Sequence, residues 1–279
     1  AESCRHYPFL PQLLSKVQPD LASSGESYPA INLSEEAYLE QALQQLLQQG
    51  AAQVRQSLQT LEQRHAQRRT WIWFELDLAP LAGVLGHLSQ VAQKTTKVFS
   101  GVDAEEMAKQ YREHYWQADD QMLKALASPL SASQQVLVQQ ILAFIYTPWL
   151  DEVTRNFQGV IKSKGYPGSN QENAATAEYA EGGEVVFFVD GLRYDIAQRL
   201  YQALQGLGAV TLSANWAALP SVTSTAKAAV TPVHDRLTGR ITDRDFEPSL
   251  LDEDKDFSAY YLRKFLQEKG WQYLDEGDS

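Results

Sequence analysis

The run Val185-Val186-Phe187-Phe188-Val189-Asp190-Gly191 constrains this chain more than any other stretch. Five consecutive apolar residues, all β-branched or aromatic, read as a strand buried on both faces, the kind found in parallel sheets. Such a strand delivers Asp190 at its carboxyl end, the edge where open α/β sheets place ligands and chemistry. Gly191 allows a tight turn and a close approach of a ligand to the backbone. Two readings of Asp190 stand side by side. It is a ligand for a divalent cation, or it is a polar cap on the following helix, whose first turn also holds Asp195 where the macrodipole favours an acid.

That helix is expected over Ile196, Leu200, Leu204 and Leu207, which recur at helical spacing, and Gly206 and Gly208 mark its end. Ala209-Val210-Thr211-Leu212 reads as a second short strand, completing a parallel βαβ unit. Pro220 then fixes a turn, and Ser221-Val222-Thr223-Ser224-Thr225 leads into a short helix. Hydroxyls suit a helix start, and the backbone N–H groups there favour an anion. A hydroxyl at that point could lie against a phosphate and, with a metal near, act as a nucleophile.

Asp190-Gly191-Leu192-Arg193-Tyr194-Asp195, followed by Leu219-Pro220-Ser221-Val222-Thr223, resembles the opening of a PglZ domain, a member of the alkaline phosphatase superfamily found in BREX phage-defence systems. Trp71-Ile72-Trp73-Phe74-Glu75, Ala79-Pro80-Leu81-Ala82 and Tyr111-Arg112-Glu113-His114-Tyr115-Trp116-Gln117-Ala118-Asp119 resemble the helical region that precedes this domain in the type A form of type 1 BREX systems. The resemblance covers most of the chain and is strongest from 184 to 231. It implies that Asp190 is the first metal ligand and that Thr223 is the nucleophile and also touches the metals. It implies a pair of divalent ions, zinc by superfamily habit, and a phosphatase or phosphodiesterase activity with nucleic acid as a conceivable substrate. It also implies partners among the other BREX components, such as the methyltransferase. Lys227, four residues past Thr223 and so on the same helical face, has two readings: a cation for phosphate oxygens or a solvated surface lysine. Ser221, Ser224 and Thr225 are expected to cap or pack.

The resemblance implies that a complete site draws on more acids and histidines, supplied far beyond the nucleophile. The five histidines are His6, His65, His87, His114 and His234, and none follows His234. His234-Asp235 reads as a surface pair. Either the sequence is part of a longer protein and carries only part of the site, or the site is degenerate; the first is the expectation, with weak or no metal binding and no useful catalysis by this chain alone. The competing expectation is a scaffold or regulatory subunit that docks other defence proteins.

The fold class expected is α followed by α/β: a helical domain over 1–164, a linker over 165–183 and, over 184–279, the first part of an alkaline-phosphatase-like domain with a mostly parallel sheet. A long helix starts at Ser34-Glu35-Glu36 and carries Leu39, Leu43, Leu46 and Leu47, then Val54, Leu58 and Leu61, with Gly50 loosening it. A second runs over Leu81, Leu85, Leu88 and Val91. Asp103 caps a third with Met107, Tyr111, Tyr115 and Met122, and Ser133 caps a fourth that Pro148 ends or kinks at Thr147. The acid-rich stretch 240–256 reads as a solvated loop, 257–269 as a helix, and 271–274 as the start of a strand. Arg64, Arg68 and Arg69 are the best candidate for a local basic groove, but at a helix end they are expected to complement its dipole. The net charge of −11 repels nucleic acid over the chain as a whole. One cysteine, Cys4, excludes an internal disulfide and a cysteine-based zinc cluster. No apolar run approaches the ~20 residues needed to span a bilayer. Together these point to the cytoplasm and to no membrane role.

Overall fold

A computed structural model describes residues 28–169, 185–239, 247–253 and 255–274, with isolated positions 9, 13 and 16. Cys4, His6, the expected linker from 170 onward, and Asp243, Asp245 and Asp254 lie outside the described residues. The chain divides into two compact units, 1–160 and 161–279.

The first unit is helical. Helix α1 spans Pro29–Leu46 and α2 spans Ala51–His65. The single long helix read from Ser34 to Leu61 is thus two, and the first begins earlier, at Pro29. The break has a packing cause. Leu39, Leu43 and Leu46 enter the same core as Val54, Leu58 and Leu61. An unbroken rod from Pro29 to His65 would be about 55 Å long and could not bring both stripes to one core. Gly50, the poorest helix former present, stands where the chain turns and is the N-cap of α2.

After a 3-10 turn (Ala66–Thr70) and the short helix α3 (Ile72–Glu75), α4 runs over Pro80–Lys94 at the centre of the unit. Leu81, Val84, Leu85, Leu88 and Val91 on it are fully buried. Helix α5 (Ala104–Gln110) is capped by Asp103, whose side chain accepts from Glu106 N at 2.8 Å. It continues through a π-helical turn (Tyr111–Tyr115) into α6 (Trp116–Leu126). Helix α7 (Ala132–Ile145) is capped by Ser131, two residues before the expected Ser133, and Gln134 returns the bond to complete a capping box. Pro148 sits in the first turn of α8 (Thr147–Lys164), where its missing N–H costs no hydrogen bond. Asp119 is buried and accepts from Tyr111 Oη and Tyr146 Oη, both at 2.6 Å, tying the π turn to the end of α7. Phe99 stacks on Tyr115 beside Trp149.

Glu36 joins α1 to the start of α4. Its carboxylate accepts from Leu81 N at 2.9 Å and from Ala82 N at 3.3 Å, two of the donors that a helix start leaves without an internal partner. The same carboxylate accepts from Arg68 Nη2 at 2.7 Å, and that guanidinium also donates to Asn32 Oδ1 at 2.7 Å. Arg68 is 3% exposed and Glu36 11%. The three arginines read as dipole partners are therefore ion-paired: Arg64 with Glu35, Arg68 with Glu36 and Arg69 with Glu62.

The second unit holds α9 (Tyr194–Leu204), α10 (Thr223–Ala229), a 3-10 turn (His234–Arg236), a two-residue antiparallel pair of β1 (Leu237–Thr238) with β2 (Ser249–Leu250), and α11 (Ala259–Glu268). Its core is small: Val233, Leu250, Leu262, Phe265 and Leu266. The strands read at 185–189 and 209–212 are not strands here, and neither is 271–274. Among the described residues none supplies a ladder to 185–189. Without pairing the run cannot be buried, and Phe187 stays 86% exposed. The described sheet falls instead partly within the stretch read as an acid-rich loop.

Removing Glu36 strands the buried Arg68 charge and two helix N–H groups. The Glu36→Ala substitution should cost about 3–5 kcal/mol, read as a fall in the urea midpoint.

His65 is fully buried beside this pair. Arg68 Nη1 lies 3.3 Å from Nδ1, and a guanidinium only donates, so Nδ1 holds the lone pair and the proton sits on Nε2. Burial, aided by Arg68 and opposed by Glu35, lowers the imidazole from 6.5 to about 4. In the unfolded chain the ring takes up its proton near 6.5, and in the folded chain it does so only near 4. The unfolded state thus binds more protons between these values, and stability falls as pH drops through that window. Unfolding free energy should decrease by about 2 kcal/mol between pH 7 and pH 5 from this residue. A His65→Gln variant should lose that part of the slope in the same urea titrations.

Candidate functional site

In the second unit the chain turns at Asp190-Gly191, and Gly191 has φ +67. This is the left-handed region, which a side chain disfavours by roughly 1–2 kcal/mol. The turn lets the chain leave the apolar run and enter α9, whose N-cap is Arg193. Asp190 therefore does not cap that helix, which removes one of the two readings of this residue.

Thirty-three residues later α10 begins at Thr223, after Pro220 and with Val222 as N-cap. Val222, the N-cap residue, makes no side-chain cap hydrogen bond. Thr223 Oγ1 donates to Asp190 Oδ2 at 3.1 Å. The acid after the apolar run and the hydroxyl that opens the later helix thus meet. One turn along α10, Lys227 Nζ lies 5.5 Å from the centroid of the Phe188 ring. Positions i and i+4 of the helix therefore face positions 190 and 188 of the preceding segment, a matched register between the two motifs. Asp190, Thr223 and Lys227 are all exposed. Lys227 rests on a ring face, a cation–π contact that leaves its charge near water.

Asp195 is the residue whose weight was not legible. It is fully buried, Oδ1 accepts from Arg193 Nε at 3.0 Å, and Oδ2 has no hydrogen-bond partner among the described residues. The acid read as a dipole partner in the first turn is thus an inward group that holds Arg193. The only sequence signal for this is the i, i+2 spacing of Arg193 and Asp195. His234 and Asp235 occupy a 3-10 turn, and among the described residues neither joins a group of three possible metal ligands. His234 Nδ1 lies 3.0 Å from Thr231 O, and Lys269 holds the Asp235 carboxyl below its usual range through a 2.7 Å bond.

Two oxygens 3.1 Å apart fit adjacent corners of a coordination shell. Tetrahedral ligands at zinc distances stand about 3.3 Å apart, and octahedral ones at magnesium distances about 3.0 Å. Asp190 and Thr223 can therefore hold one edge of a site for a divalent ion. Among the described residues no group of three His, Cys, Asp or Glu side chains converges. The described donors fit one edge of such a site and not a whole one.

No protein-family model, curated protein or solved structure matches the chain. Among the described residues no helix is long and apolar enough to cross a membrane.

Substituting Gly191 tests how far the turn positions Asp190. Gly191→Ala meets no atom within 4 Å of the new Cβ, so its effect is backbone strain alone. The variant should lose about 1–2 kcal/mol, read as a fall in the urea midpoint, and the side-chain NMR shifts of Asp190 and Thr223 should change.

Proposed function

We propose that this chain belongs to a PglZ-type protein of a bacterial phage-defence system, acting in the cytoplasm as a metal-dependent phosphatase or phosphodiesterase. Thr223 is the nucleophile, Asp190 and Thr223 are metal ligands, and Lys227 neutralises phosphate oxygens. The observation that supports this reading is the 3.1 Å bond between Thr223 Oγ1 and Asp190 Oδ2, made by the two residues that the motif resemblance singles out. A divalent metal pair, zinc by superfamily habit, would supply charge to a transferring phosphoryl group and acidity to the hydroxyl. This chain's own residues hold the hydroxyl against the carboxylate and present both at an exposed edge.

In this reading 1–164 is a helical domain, 165–183 a linker, and 184–279 the opening of an α/β domain with a mostly parallel sheet. Val185–Val189 is then a strand whose ladder neighbours lie outside the described residues. The exposure of Phe187 and Val185, 86% and 82%, supports this, because apolar runs of this kind are seldom left in water. The remaining ligands likewise lie outside the described residues. Other BREX components, the methyltransferase among them, are the partners, and nucleic acid is the substrate.

The second reading is a scaffold or regulatory subunit that docks those partners and does no chemistry. It is favoured by the small donor set at Asp190 and Thr223. Metal analysis and turnover of a generic phosphodiester by the full-length protein separate the two. Two equivalents of metal, lost in Asp190→Ala, and a fall in turnover on the order of 10³-fold or more in Thr223→Ala are expected for the enzyme. Unchanged turnover in Thr223→Ala would sink the nucleophile assignment, and a full-length protein that takes up no metal leaves the scaffold.

A further inference from the structure

The helical unit carries a cleft of about 600 Å³ beside α4, within the range of small-ligand sites. Gly83 and Gly86 stand three apart on that helix. A Cβ at 83 would come within 2.8 Å of the Phe74 ring, and one at 86 within 3.3 Å of Arg69 Nη1. The two glycines thus let an aromatic ring and a guanidinium lie directly on the helix as part of the cleft wall. Arg69 is already matched: Glu62 grips it in a fork, one arm at 2.9 Å, and Ala82 O accepts from it at 3.0 Å. Asp77 also lines the cleft, and among the described lining residues no lysine or arginine besides the matched Arg69 stands there, so the carboxylates outnumber the guanidinium even with Glu75 left out of the count.

His87 on the same wall has a fixed tautomer. Gln121 Nε2 donates to Asp120 Oδ2 at 2.9 Å. A carboxylate only accepts, so the amide nitrogen must face Asp120 and the amide oxygen must face His87. That oxygen lies 2.8 Å from His87 Nδ1, which therefore carries the proton. Asp120 is buried and also paired with Lys124 at 2.8 Å, so the relay is anchored. Nε2 is left as the ring's acceptor.

We propose that this cleft binds a guanidinium group, on a free amine or on an arginine side chain. Its N–H groups donate to His87 Nε2 and to the Asp77 carboxylate, and its flat face lies against the exposed Phe74 ring. An excess of carboxylates repels anions. Separated acceptors beside an aromatic face suit a planar cation with several fixed donors better than a compact ammonium. The proposal concerns a site separate from Asp190 and Thr223 and stands or falls independently of the activity proposed for them.

The test is an NMR titration of the full chain with labelled histidine, using agmatine, N-acetyl-arginine methylamide and its neutral isostere N-acetyl-citrulline methylamide. Both guanidinium compounds should shift the His87 ring nitrogens, and the citrulline compound should bind at least about tenfold more weakly, since one lost charge-assisted contact is worth that factor. Tighter binding of agmatine assigns a free amine, and tighter binding of the arginine compound assigns a side chain. Asp77→Asn, followed by the same His87 shifts, and His87→Phe, followed by titration calorimetry, should each weaken binding by about tenfold or more. Asp77 has φ +59, a conformation that asparagine also tolerates, so Asp77→Asn folds even if His87→Phe does not. No His87 shift at millimolar guanidinium, equal binding of citrulline, or unchanged affinity in Asp77→Asn would overturn the proposal.

Discussion

The Glu36 carboxylate is the point on which the helical unit turns. It does two things that a neutral residue could not do together. It neutralises Arg68, a guanidinium almost closed off from water, and it occupies the N–H groups at the start of α4. A buried ion pair by itself is weak support, because desolvation can cancel the Coulomb gain. Here the anion also lies at the positive end of a helix, and every added donor lowers the cost of keeping it ionised. Asn32 extends the same junction, donating to Leu78 O at 2.7 Å while accepting from Arg68. The apolar stripes supply most of the free energy, but they are slippery along a helix axis. The Glu36 junction fixes which turn of α1 meets which turn of α4.

This explains why much of the helical unit was readable and its joints were not. Leu39, Leu43, Val54, Leu58, Leu85 and Leu88 recur at helical spacing and are buried as the spacing requires. Asp103 has a local cap role that sequence carries by itself. The pairing of Arg68 with Glu36 spans thirty-two residues, and nothing local distinguishes it from a lysine-like surface charge or a dipole partner. The turn between α1 and α2 follows from what the two stripes must share, which a single helical pattern does not reveal. Ser131 took the cap from Ser133 because Gln134 stands three residues after it and can return the bond.

In the second unit the outcome is reversed. Local strand signals at 185–189 were strong, yet a strand is a relation between segments and not a property of one. With no ladder partner among the described residues, five apolar side chains remain outside the core, and the small cluster around Phe265 and Leu250 is built from residues further along the chain. The motif pair fared differently because its geometry needs only a turn and a helix. Gly191 turns the backbone after Asp190, α10 begins at Thr223, and the two side chains come within hydrogen-bond reach.

That bond bears on chemistry in a particular way. A hydrogen bond between an exposed carboxylate and an exposed hydroxyl replaces bonds that each makes to water, and so contributes little net free energy. Their contact at 3.1 Å therefore reflects the surrounding backbone more than their mutual attraction. The register of Lys227 over Phe188 argues the same, because two contacts one helical turn apart require α10 to lie along the 188–190 segment. A preformed edge of two oxygens is cheap to reorganise when a cation or a phosphate arrives, and expensive to assemble from loops that wander. Backbone placement, and not the strength of the hydrogen bond, is what makes Asp190 and Thr223 a candidate site.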